Sequence, residues 1–444
     1  MKLKQHFRGM GPFLALWSTQ AFSGLGSMMT SYALIVWSYQ QQGSALATAL
    51  LSICSYAPYV LLSIFAGALS DRWDKRRTML ACDTLAAATT VAVLVLLRSG
   101  RLALGHLYLL NALNGFMNTV QEPAASVAVS LIAPQEHYQK VGGLRAFSDS
   151  LTKVLAPVFA SALFGLGGIE LVVLFDLASF SLAFFCLVFF IRIPPAPQSA
   201  REGGGPLHTA REGLAYLRRE RGILHLILFL ACINLVASMC DAALPAMLLS
   251  RKGAGAWALA LVSACTGLAN VAGSLLVLLR RPPQSRVRVI CNALLFSMST
   301  ENLLLALGRS APVWCLGAVL GWLAVPIMNA NMEVLLRLHI PVEIQGRVYA
   351  ARNTLQFFTI PVGQLLGGAL IDGALEPWMA RQPADGLLPF VLGVGKGSGA
   401  ALLFLLLAGA GVAVCLVFRR DRHIWALERA PVQAQNTQKE ADSI

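Results

Sequence analysis

Charge is scarce in this chain. Only 13% of its 444 residues are Asp, Glu, Lys or Arg, whereas a soluble domain carries about 25%, which excludes an ordinary water-exposed globular surface. Metal and redox motifs are missing as well. The seven histidines stand singly, with no H-x-x-x-H or H-E-x-x-H box, and the nine cysteines show no C-x-x-C spacing; both absences argue against a metal-dependent membrane enzyme. The cysteines lie within or beside apolar stretches and read as small buried hydrophobes. A phosphate loop is absent too. GVGKGSG (Gly393 to Gly399) has Phe390 where the first glycine belongs and Gly397 where Ser or Thr must follow Lys396. No catalytic residue, cofactor or metal is expected, nor direct drive by ATP.

Apolar length is what the chain has in abundance. Hydrophobic residues make up 56% of it, and the mean hydropathy is +0.64. A bilayer core of about 30 Å takes about 20 helical residues, so spans are expected near 13–39, 46–70, 78–97, 103–132, 144–166 and 169–191, then 223–249, 255–279, 288–308, 312–338, 348–373 and 399–418. The expected fold is an all-α membrane protein of twelve transmembrane helices in two pseudo-symmetric six-helix bundles. Its domains are a first bundle over 1–191, a cytoplasmic linker over 192–222 with a surface helix near Leu207 to Arg221, a second bundle over 223–420 and a cytoplasmic tail over 421–444. The basic start MKLKQHFRGM superficially resembles a signal peptide, but the run from Phe13 to Trp37 is too long for an h-region of about 7 to 15 residues. An uncleaved first helix is expected.

The formal charge of +13 falls in short clusters between apolar stretches rather than along one polar face, which argues against a nucleic-acid partner. The clusters alternate from loop to loop. Lys2, Lys4 and Arg8, Arg72 to Arg77, Arg201 to Arg221, Arg280 to Arg288 and Arg419 to Arg422 mark one side; the other holds Arg98, Arg101, Arg251, Lys252, Arg309, Arg381 and Lys396. Cytoplasmic loops carry the Lys and Arg excess, so both termini and the linker are expected in the cytoplasm. A weak internal repeat runs beneath this. N-x-x-x-E ends at Glu122 and again at Glu333, PQE at 134–136 is followed by PVE at 341–343, and Pro157 is matched by Pro361, at offsets of 204 to 211. The order favours two homologous halves.

The sharpest local signal is GALSDRWDKRR, Gly67 to Arg77, in the loop after the second span. Through Gly67, Asp71, Arg72, Arg76 and Arg77 it resembles the signature loop of the Major Facilitator Superfamily, with Asp74 where that family has glycine. The resemblance implies a conformational switch: Gly67 for close helix contact, Asp71 against a helix N-terminus, arginines pairing with acids. A positive-inside hairpin without a switching role accounts for the same residues. Two further family patterns are altered: R-x-x-x-G in the fourth span is Asn111 to Gly115, and the fifth-span antiporter pattern survives only as Ala156, Pro157, Ala160 and Ser161. The DR-x-D-K-R loop, the run QAFSGLGSMMTSYALIVWSYQQQGSALATALL and GRVYAARNTLQFFTIPVGQLLGGALID resemble the macrolide-efflux and siderophore-exporter branch. That branch implies proton-driven efflux of an amphipathic compound.

Ionisable groups in spans are costly, about 2.5 to 3.5 kcal/mol at the bilayer centre, so they usually face the protein interior or a cavity. Asp83, Glu122, Asp149, Lys153, Asp176, Asp241, Glu301 and Glu333 qualify. In the family, spans 1, 4, 7 and 10 line the central path, which selects Asp241, Glu122 and Glu333 as proton or cation sites. Glu122 also reads as a partner of the Arg76 loop, Asp149 and Lys153 as an i,i+4 pair, and Asp83 and Asp176 as anchors near helix ends. Glu301 lies in a span usually placed peripherally, and its role stays open. Gln20, Ser27, Tyr32, Asn114, Asn118 and Asn329 are the cavity candidates, since a few polar groups among apolar walls suit an amphipathic ligand; interhelical glue and an aromatic belt account for the same residues. The expected partners are a small-molecule substrate, the bilayer and protons, for a monomer in a bacterial cytoplasmic membrane. A lipid or lysolipid translocator, an uptake permease and a non-transporting receptor are the alternatives.

Overall fold

Two adjacent glycines place the sharpest break in the first part of the chain. Gly168 sits at φ 67°, ψ −166°, beside Gly167 at φ −146°, ψ 20°, a backbone that a side chain would strain. The break divides α5 (Tyr138–Phe189) into two arms where the spans were expected to part. The structure is a computed structural model and describes residues 11–132, 138–191, 193–194, 206–251, 253–279, 283–340, 344–383 and 385–428. Before α5 come α1 (Gly11–Gln42), α2 (Ala45–Arg72), α3 (Lys75–Arg98) and α4 (Leu104–Ile132). No strand occurs among the described residues.

Contacts group the chain into two compact units, Met1–Gly43 with Leu50–Glu202, and Ser44–Ala49 with Gly203–Ile444. In the first unit α1 packs most extensively on α5, and α3 lies against α4 and α5. Met29, Ala33, Val93, Leu107, Ala160 and Val172 form its main core. Asp74 caps α3 by accepting from the Arg77 backbone N–H at 2.8 Å, and Arg76 donates to the Leu187 and Val188 carbonyls at the end of α5.

The second unit opens with a surface helix, α6 (Pro206–Arg219), whose Tyr216 hydroxyl donates to the His339 carbonyl at 2.8 Å. Next come α7 (Arg221–Ser250), α8 (Ala256–Leu279), α9 (Arg286–Leu307), α10 (Ala311–Leu323), α11 (Val325–His339), α12 (Gln345–Phe357) and α13 (Thr359–Leu370). A π-turn over Ile371–Leu375 leads to α14 (Glu376–Ala380), α15 (Leu387–Leu392), α16 (Ser398–Arg419) and α17 (Arg422–Ala426). The expected continuous spans 312–338 and 348–373 are each broken. Pro326 and Pro361 lack the N–H that would bond four residues back, and the breaks fall at Ala324 and Phe358. Asp372 in the π-turn accepts from Ser44 Oγ (2.6 Å) and the Ala45 (3.1 Å) and Leu46 (2.8 Å) backbone N–H groups of this unit.

Nine helical stretches among the described residues are long and apolar enough to cross a membrane, one of them the divided Phe147–Phe189. They expose large apolar side chains, among them Val95, Leu182 and Leu268. Leu166, Leu279 and Phe190 are each more than three-quarters exposed, a surface suited to lipid rather than water. The chain is an integral membrane protein.

Candidate functional site

The first unit carries four intramembrane carboxylates, two of them buried. Asp83 (7% exposed) accepts from Gln121 Nε2 at 2.6 Å and Gln20 Nε2 at 3.5 Å. Asp176 (4% exposed) is surrounded by hydroxyls: Ser27 Oγ at 3.2 Å from Oδ1, with Thr30 Oγ1 at 3.1 Å and Thr90 Oγ1 at 3.5 Å from Oδ2. Both carboxylates are held by side chains of other helices. Glu122 is exposed on α4, and its charge reaches Tyr56 and Tyr59, whose rings lie 5.6 Å apart. It does not pair with Arg76, which is committed to the carbonyls of α5. Asp149 and Lys153 are both exposed, and no ion pair joins them.

The polar candidates of this unit divide by partner. Gln20 and Ser27 are engaged by the buried aspartates, and Asn114 Oδ1 accepts from Thr89 Oγ1 at 2.9 Å. Asn118 is exposed beside Glu122, while Tyr32 is half-buried against the α1–α5 core. Of the switch loop, Arg77 is exposed and Arg76 half-buried; the side chains of Gly67, Asp71 and Arg72 lie outside those described.

In the second unit Asp241 is exposed on α7 and makes no hydrogen bond or ion pair among the described residues. Its neighbour is Glu301, whose role sequence reasoning left open. The charges of both carboxylates reach Cys240, and that of Asp241 reaches Glu301. Glu301 Oε1 accepts from Trp322 Nε1 at 2.9 Å, beside the break at Ala324. Gly321 makes that approach feasible: a Cβ there would lie 2.6 Å from Glu301 Cβ. Asn302 completes the cluster, accepting from Cys240 Sγ at 2.9 Å and donating to the Met298 carbonyl. The sequence signal for Glu301 was only its acidity in an apolar span, since the residues that hold it come from other helices.

Glu333 is set apart from this pair by a cation. Arg352 Nη1 stands 3.7 Å from its carboxylate, and the Tyr349 hydroxyl donates to it at 3.2 Å. Arg352 also donates to Gln356 Oε1 at 3.1 Å. Asn331 Oδ1 accepts from Arg286 at 3.2 Å, and Asn329 is exposed on the same helix. A lone carboxylate and a paired one can therefore respond differently to protons or cations, because only one already has a counter-charge.

A family model described as the Major Facilitator Superfamily matches residues 16–364. Macrolide efflux protein A of Streptococcus pyogenes is 22% identical over 364 residues, covering 81% of this chain and 89% of its own. An MFS-type transporter of Bacillus subtilis, YfiS, is 25% identical over 391 residues, covering 83% and 89%. Among solved structures, a bacterial homologue of the iron transporter ferroportin in an inward-facing state superposes with a TM-score of 0.64 at 18% identity, over 92% of this chain and 97% of its own. A bacterial homologue of the lysosomal transporter Spinster gives 0.63 at 14% identity, over 95% and 98%. At those identities the structures speak for the fold alone.

Proposed function

The chain belongs to the Major Facilitator Superfamily, and from that membership we propose that this membrane transporter is a secondary exporter of an amphipathic small molecule, of drug, macrolide or siderophore type, driven by protons through alternating access. Asp241 carries the reading: an exposed carboxylate in an apolar helix, without a partner among the described residues, beside a second acid. A charge at the bilayer centre costs about 2.5 to 3.5 kcal/mol, so neutralising it in one facing state and releasing the proton in the other gives the two states different proton affinities. Glu122 and Glu333 are the secondary candidates. Asn118 and Asn329, both exposed, join Gln20, Ser27, Tyr32 and Asn114 as the polar lining of the substrate path.

The relatives named for macrolide efflux support the export direction and the amphipathic class. The same proposal includes twelve crossings in two six-helix bundles, a switch role for Gly67 to Arg77, cytoplasmic termini and a monomer in a bacterial cytoplasmic membrane. Purified protein in proteoliposomes with an imposed pH gradient and a labelled macrolide tests it. Gradient-driven transport should fall at least about tenfold in Asp241→Asn, the effect of about 1.4 kcal/mol, and stay unchanged in Asp149→Asn. Equal transport with and without the gradient, or an unaffected Asp241→Asn, would sink the coupling claim. A lysolipid analogue carried instead of the macrolide would point to a lipid translocator.

A further inference from the structure

Asp176 combines deep burial with an unusual set of partners. Ser27 and Thr30 come from α1, Thr90 from α3 and Asp176 from the second arm of α5, so three helices converge on one carboxylate. No Lys, Arg or His pairs with it among the described residues. A buried carboxylate without a counter-charge is strongly unfavourable, and neutral hydroxyls repay only part of that cost.

The distances favour something between the oxygens. O–H···O bonds cluster at about 2.7 to 2.8 Å, yet the three separations here are 3.2, 3.1 and 3.5 Å. Oxygens placed octahedrally about 2.4 Å from a cation lie about 3.4 Å from one another. Thr90 sharpens the point. Its Oγ1 lies 3.2 Å from the Ala86 carbonyl and 3.5 Å from Asp176 Oδ2, so its one proton can serve only one of the two acceptors at a time. When that proton goes to Ala86, the lone pairs of Thr90 are left facing the carboxylate, an arrangement a cation between them would satisfy, since a hydroxyl can both donate and ligate. Charge then sets the valence: one carboxylate neutralises one monovalent ion, whereas a divalent ion would leave a net positive charge buried. Gly26 closes the far wall, since a Cβ there would lie 2.9 Å from Asp176 Oδ1, and Ser27, exposed, leaves an entry.

We propose that Asp176, Thr30, Ser27 and Thr90 form a binding site for a sodium-sized monovalent inorganic cation inside the first unit. It stands independently of Asp241 and of proton coupling. Equilibrium binding of radioactive sodium to the full-length protein in lipid nanodiscs, in buffer whose only other cation is N-methylglucamine, tests it together with thermal unfolding. The expected result is saturable binding of one ion per chain and a sodium-dependent rise in melting temperature. Asp176→Asn should lose both, Thr30→Val should weaken binding by about tenfold or more, and Asp83→Asn should retain it. If Asp176→Asn does not fold, Thr30→Val and Thr90→Val carry the comparison. Absent saturable binding, undiminished binding in these variants, or a melting temperature that follows pH in sodium-free buffer and ignores sodium would each overturn the site, the last by assigning the carboxyl to a proton alone.

Discussion

At the scale of the residue, the two buried aspartates of the first unit show why identity alone did not reveal role. Gln20 and Ser27 were legible as polar side chains in an apolar span, but their partners lie 63 and 149 residues away, at Asp83 and Asp176. Periodicity within one helix carries no information about such pairs. Gly115 is the reverse case. Its place at the end of the altered Asn111 to Gly115 pattern was readable, and the structure supplies the physical reason for glycine there: a Cβ at 115 would lie 2.8 Å from the Ser55 carbonyl carbon and 3.2 Å from its Cα. Those atoms are backbone, which cannot rotate away as a side chain can. Gly115→Ala should therefore destabilise the protein by about 1 to 3 kcal/mol, the range for overpacking, seen as a lower melting temperature in detergent. Gly105→Ala, with open space around its Cβ, is the control, and equal melting of the two variants would contradict the packing argument.

At the scale of the element, hydropathy located the helices well, because length and apolarity are properties of a continuous segment. It missed the breaks at Ala324 and Phe358, which follow from Pro326 and Pro361 rather than from apolarity, and the short helix α17, which owes its form to contacts. Asp421 holds α17 in place. It caps the helix through the His423 backbone N–H at 2.8 Å and meets His225 Nδ1 at 2.5 Å, while the two imidazole rings stand 4.7 Å apart. Burial pushes the Asp421 carboxyl upward, but the hydrogen bonds from His225 and His423 and the nearby imidazoles outweigh it and hold the group below the ordinary aspartate value. A depressed value stabilises the folded form above the unfolded value of about 3.9 and loses that stabilisation as pH falls through the folded value. At neutral pH α17 is thus fully held. Removing the charge by Asp421→Asn should raise amide exchange over residues 422–427 by about tenfold, equivalent to about 1.4 kcal/mol, near the lower end for a charged hydrogen bond. Exchange mass spectrometry measures this directly, and unchanged protection would show that Ile424, buried, and Leu427 hold the helix alone.

At the scale of the whole molecule, the alternation of basic loops is the feature that composition made legible, and contacts within the first unit agree with it. Arg98, ending α3, pairs with Glu170 at the start of the second arm of α5, whereas Arg76, starting α3, meets Leu187 and Val188 at that arm's end. The two segments therefore run antiparallel, as segments separated by two intervening crossings require. In the second unit Arg251 donates to the Gly308 and Leu392 carbonyls at 2.7 and 2.6 Å, while Glu428 accepts from the Val287 backbone N–H at 2.6 Å, which gathers the loops after α7 and α9 at one end and the start of α9 at the other. Basic residues crowd the end near Arg76 and the end near Arg286, and the Lys and Arg bias is what orients a membrane protein. In a cysteine-free background, single cysteines at Arg101 and Arg381, exposed positions at the sparsely basic ends, should react with a membrane-impermeant maleimide on intact cells. Cysteines at Arg218 and Arg422, exposed positions at the basic ends, should react only after permeabilisation. Since each crossing reverses the side, Arg101→Cys and Arg218→Cys labelling together from outside would mean an odd number of crossings between them was miscounted, and the assignment of the linker to the cytoplasm would fall with it.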